Sequence, residues 1–72
     1  MNVSMTDKLI EYLEGRIAEL EEEKQNYLDA MEKTYTEKGI YREYYFKALE
    51  KKIEVQDVLL KVYELKKEYN NE

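Results

Sequence analysis

IEVQDVLLKVYEL, Ile53 to Leu65, carries two apolar seams when wound as a helix at about 100° per residue. Val55, Val58, Val62 and Leu65 follow 3-4-3 spacing, and backwards that seam runs through Ala48 to Tyr44 and Tyr41. A second seam, Phe46, Leu49, Ile53, Gln56, Leu60 and Tyr63, lies roughly 150° around the helix, with Leu59 between the two. Together they cover more than half the circumference, wider than the roughly 100° stripe of a helix resting on one core. Such a helix needs cover from two sides, and one short partner helix in its own chain supplies one. The expectation is a second chain, a copy of this one or another protein.

Composition agrees with long helices. The 72 residues contain no Pro and two glycines, at 15 and 39, and 40% of them are charged. A chain this short builds a marginal core and is usually helped by disulfides, metal or oligomerisation. It has neither Cys nor His, which removes disulfides, thiolate metal sites and the commonest neutral-pH base. Oligomerisation is the remaining help, in keeping with two seams on one helix. No apolar run approaches the roughly 18–20 residues of a membrane span, and the start lacks the basic and apolar segments of a signal peptide. A soluble, cytoplasmic protein is the expectation.

The first helix is read from Ile10, Leu13, Ile17, Leu20, Lys24, Tyr27, Met31 and Thr34, a 3-4 heptad repeat. Ser4 with Asp7 forms a capping box at its start, after a loose lead-in. Lys24 sits at a core position, where its stem lies along the seam and its ammonium reaches water. The break falls in KTYTEKGI, Lys33 to Ile40. Gly39 serves there as the left-handed residue after a helix end; in the alternative, Thr34 and Glu37 start the second helix early and leave Gly39 in its first turn. The polar tail from Glu68 onward should fray.

A single rod competes with the hairpin. The heptad of the first helix extends through Lys38, Tyr41, Tyr45, Ala48, Lys52, Val55, Leu59, Val62 and Lys66. A rod of about 60 residues would be about 90 Å long. In a parallel dimer it would set Lys24, Lys38, Lys52 and Lys66 against their own copies, costing several kcal/mol. The hairpin is therefore preferred.

Catalysis needs a nucleophile, an acid or base, or a metal, held in a pocket. Ser4 is the one serine, and the Glu-x-x-His pairs of di-metal bundles are absent. The Ser-Gln-Glu-Leu-Asp motif of the small aspartyl-phosphate phosphatases, helical hairpins of sporulating bacteria, is missing as well. No enzyme, cofactor or metal is expected.

Charge is uneven. Residues 1–37 hold ten acids against four bases, and residues 38–72 seven against eight, giving the net −5. Such a balance disfavours nucleic acid as a partner. Tyr35, Tyr41, Tyr44, Tyr45 and Phe46 crowd the turn and the start of the second helix around Arg42, the residue types of a bundle end or a binding hot spot. Glu19, Glu21, Glu22, Glu23 and Asp29 lead an acidic face of the first helix, either solvated or a mimic of a nucleic-acid backbone. In size and composition the chain resembles small phage-encoded proteins that block host enzymes or defence nucleases, anti-CRISPR-like inhibitors among them. A stripe of Lys47, Lys51, Lys52, Lys61, Lys66 and Lys67 resembles the RNA-binding face of Rop-like hairpin dimers, here diluted by Glu50, Glu54, Glu64 and Glu68.

The expected architecture is all-α: one domain, 1–72, with helix 1 at about 6–35, a turn at about 36–40 and helix 2 at about 41–69. This antiparallel, coiled-coil-like hairpin is expected to pair into a homodimeric four-helix bundle through Val55, Val58, Val62 and Leu65. The expected function is non-catalytic protein binding by a small acidic inhibitor or adaptor of a host protein, from a phage or mobile element, acting in the host cytoplasm. Tyr41, Tyr44 and Tyr45 join the seam as partner interface. The alternatives are a structural oligomerisation module and a Rop-like RNA-binding dimer.

Overall fold

Two helices, α1 (Met5–Lys33) and α2 (Lys38–Asn70), pack antiparallel in a computed structural model that describes residues 4–70. The lead-in at 1–3 and the tail at 71–72 lie outside the described residues. The hairpin measures 57 × 22 × 12 Å, which is one helix long and two helices wide. It is a hairpin and not a rod.

α1 starts as its sequence indicates. Ser4 is extended, and its Oγ accepts a hydrogen bond from the Asp7 amide at 3.1 Å, satisfying one of the free donors of the first turn. The other end differs from the first expectation for Gly39. α1 stops because Thr34 turns extended, at φ −123° and ψ 144°, and no glycine among the described residues has positive φ. Gly39 lies inside the first turn of α2, where the Tyr41 amide donates to the Glu37 carbonyl. The connection is thus 34–37, earlier than the expected 36–40, so helical bonding claims Gly39 and Ile40.

The packing of α2 departs most from the sequence reading. α1 covers only the inner part of the first seam, Tyr41, Ala48, Val55 and Val62, and leaves the second open apart from Leu49. It lies along the strip between them, against Tyr41, Tyr45, Ala48, Lys52, Val55, Leu59 and Val62, all half-buried except Ala48, which is buried. This is the heptad considered for the rod, folded back upon itself. The opposing residues are Ile10, Leu13, Ile17, Leu20, Lys24 and Tyr27, with Leu20 fully buried at 0% exposure. The core is small: Ile10, Leu13, Leu20 and Ala48 are its buried apolar residues. Of the first seam Tyr44, Val58 and Leu65 remain in solvent, and of the second every residue except the half-buried Leu49. Ile53, Leu60 and Tyr63 are exposed on one flank, and Val58, Leu65 and Tyr44 on the other.

The charges of the two helices match this placement. The Lys52 ammonium donates to Glu21 at 2.5 Å, and that of Lys66 to Asp7 at 2.6 Å. Asp7 to Glu21 is fourteen residues up α1, and Lys66 to Lys52 is fourteen residues down α2. Fourteen residues are two heptads, so both pairs close only in one antiparallel register. Three of the four lysines that would repel in a parallel rod, Lys24, Lys52 and Lys66, are paired here. Lys24, expected to reach water, instead keeps its ammonium 3.0 Å from Glu21, with its side chain 15% exposed.

Candidate functional site

Among the described residues, no group of three or more acidic side chains is placed to hold a metal ion, and no helix is long and apolar enough to cross a membrane. The candidate site is the pair of open flanks along the hairpin.

One flank forms a groove of about 370 Å³ between Ile17 on α1 and Ile53, Gln56, Leu60 and Tyr63 on α2. Its floor is the Ile53 to Tyr63 part of the seam read from the sequence as Phe46, Leu49, Ile53, Gln56, Leu60 and Tyr63. Each of these is the residue after one on the inner strip, so the two strips lie about 100° apart around α2. Tyr63 is fixed in place, since its hydroxyl donates to Glu14 across the hairpin at 2.5 Å. That carboxylate pushes the Tyr63 hydroxyl above its usual ionisation range.

The opposite flank carries Val58 and Leu65 on α2, with Leu9 and Tyr12 exposed on α1. A shallow recess here is lined by Glu23, Tyr27, Tyr44, Lys47, Ala48 and Lys51. The Tyr27 and Tyr44 rings stack across the helices at 5.5 Å, tilted by 38°. The expected interface is therefore divided. Tyr41, Tyr45, Val55 and Val62 belong to the inner strip, half-buried, whereas Tyr44, Val58 and Leu65 face outward. Periodicity groups Val55, Val58, Val62 and Leu65, but it does not say where along their arc the partner helix rests.

The aromatic end is likewise split. Phe46 meets Tyr45 edge-on at 5.3 Å, with the Arg42 guanidinium 5.9 Å from the Phe46 ring. Tyr35 stands out from the turn at 96% exposure, beside the Lys38 ammonium at 5.8 Å.

The acidic face shrinks once the helices meet. Glu21 accepts from Lys52, from Lys24 and, at 3.4 Å, from Gln25, and the two lysines hold its carboxyl down at about 2. Glu19 pairs with Arg16 at 2.8 Å. Glu22, Glu23 and Asp29 stay exposed, and among the described residues no ion pair engages them. Glu21 is a structural partner of α2, which its place in a run of three glutamates conceals. The heptad interval from Asp7 to Glu21, matched by that from Lys52 to Lys66, is the sequence signal that reveals it.

Fold and site together define a class: an antiparallel two-helix hairpin whose second helix keeps apolar residues open on both sides. No known protein family, no characterised protein and no solved structure matches the chain.

Proposed function

We propose that this chain is a non-catalytic protein-binding hairpin, an adaptor or inhibitor acting through the flanks that α1 leaves open. One observation carries the reading. Ile53, Leu60 and Tyr63 on one side and Val58 and Leu65 on the other are exposed on a molecule with four buried apolar residues. Large open apolar patches on a small chain mark interaction surfaces. A phage or mobile-element accessory protein that targets a host protein is the setting that fits its size and acidity. The test is differential retention of proteins from its native source by the immobilised chain, compared with variants carrying Leu60→Lys or Val58→Lys. A partner held by the wild type and released by one variant supports the proposal. Identical retention by all three ends it.

The second flank favours one further reading, self-association into a four-helix bundle through Val58 and Leu65. Light scattering would then give a stable multiple of 8.8 kDa that Val58→Lys reduces to one chain. Rop-like RNA binding loses support, because Lys52 and Lys66 of the basic stripe are engaged by Glu21 and Asp7.

A further inference from the structure

The groove bounded by Ile17, Ile53, Leu60 and Tyr63 has rims in which acids outnumber bases. On α1, the residues one step around from the inner heptad are Glu11, Glu14, Ala18, Glu21, Gln25, Leu28 and Glu32, with no base among them. The contact of Glu14 with Tyr63 places this row on the groove side of the hairpin, and Glu21 within it is already engaged by Lys52 and Lys24. On α2, the row one step beyond the apolar floor holds Glu43, Glu50, Glu54, Asp57, Glu64 and Glu68 against Lys47 and Lys61. All of these acids are exposed except Glu21, which is half-buried. An apolar floor thus runs between two acidic walls.

We infer that this groove seats a basic amphipathic α-helix of a partner protein, its apolar stripe on Ile53, Leu60 and Tyr63 and its lysines or arginines along both rims. The inference rests on the protein-binding reading and specifies the partner's chemistry. The floor from Ile53 to Tyr63 spans ten residue steps, about 15 Å, which suits about three turns of a partner helix. Helix-in-groove recognition uses apolar anchors at such spacing, and charge at the rim selects the partner. A second copy of this chain does not fit. Its own Ile53–Leu60 stripe is bordered by the same acidic row, which would meet the acidic wall of α1. The remaining self-complementary arrangement sets this groove on the Lys47, Lys51 and Lys61 side of a copy. That contact is heterologous and builds a ring or a filament, not a two-fold dimer.

Two synthetic helices test the inference. They share a leucine stripe at heptad spacing, flanked by lysine in one peptide and by glutamate in the other. The lysine-flanked peptide should bind at least about tenfold more tightly. Leu60→Lys should weaken its binding by at least about tenfold, and Asn26→Lys, at an exposed position of α1 outside the groove lining, by less than about twofold. Amide shift changes in the wild-type spectrum should centre on Ile17, Ile53, Leu60 and Tyr63, which locates the site even if a variant fails to fold. Equal affinity for the two peptides overturns the inference. So do shift changes centred on Val58 and Leu65, although they leave protein binding intact. Wild-type mass that climbs with concentration, and stops climbing in Leu60→Lys, assigns the groove to a second copy and overturns it too. Failure of the native-source retention test strikes at protein binding itself.

Discussion

Leu20→Ala probes the packing most directly, because Leu20 is the fully buried large side chain of the hairpin. Truncating a buried leucine costs about 3 kcal/mol or more, the lost transfer energy plus the cavity left behind. A 72-residue domain has a total stability of about 4–10 kcal/mol at the usual value per residue. This one, with four buried apolar residues, belongs at the low end. With a urea dependence of about 1 kcal/mol per molar, the midpoint should fall by about 3 M, measured from helical ellipticity. Leu60→Ala is the matched control: Leu60 is 60% exposed, so its truncation should cost less than about 0.5 kcal/mol. A partner protein would change that second number alone, because it covers Leu60 and leaves Leu20 as it was. If Leu20→Ala cost under about 1 kcal/mol while Leu60→Ala cost as much or more, α1 would not lie on the middle strip of α2. The reasoning about open flanks would then be refuted.

Three further outcomes are expected. Glu21 and Asp7 are held below their ordinary 4.5 and 3.8, Glu21 by Lys52 and then Lys24, Asp7 by Lys66 and then Ser4. A lowered carboxyl stabilises the fold fully above its ordinary value, so the melting temperature should fall as pH drops from 4.5 toward 2, and Glu21→Gln should make that fall shallower. An equally steep decline in the variant counts against the pair. Gly39→Ala should raise stability by about 0.5–1 kcal/mol, because the residue is helical and its added methyl meets open space. A loss there in urea titration would restore Gly39 as a left-handed cap. Glu21→Lys should destabilise the hairpin, and Lys52→Glu in the same chain should recover part of the loss; purely additive effects in this double-mutant cycle would show that the two residues do not meet.

Much of the architecture was legible along the chain. The 3-4 repeat from Ile10 to Met31 marks α1, Ser4 with Asp7 marks its start, and lysines at heptad positions argue against a parallel rod. The break at Lys33 to Ile40 was legible as a region but not to the residue. Thr34, Glu37 and Gly39 all carry local signals for a helix boundary, and their competition is settled by which backbone amides find helical partners. The width of the apolar arc on α2 likewise announced that one helix could not cover it.

What periodicity could not supply is where within that arc α1 comes to rest. A repeat of apolar residues states which positions share a face, and Val55 shares one with Val58 as readily as with Leu59. Contact between the helices breaks this degeneracy, because Asp7, Glu21, Lys52 and Lys66 are satisfied together in one register alone. That register turns Val55 and Val62 inward, engages Glu21, and leaves Ile53, Leu60 and Tyr63 beside an acidic wall. Local spacing along the chain sets the helices and the breadth of their apolar surface. The surface that is left for a partner depends on pairings between residues 31 to 59 positions apart, which no local pattern encodes.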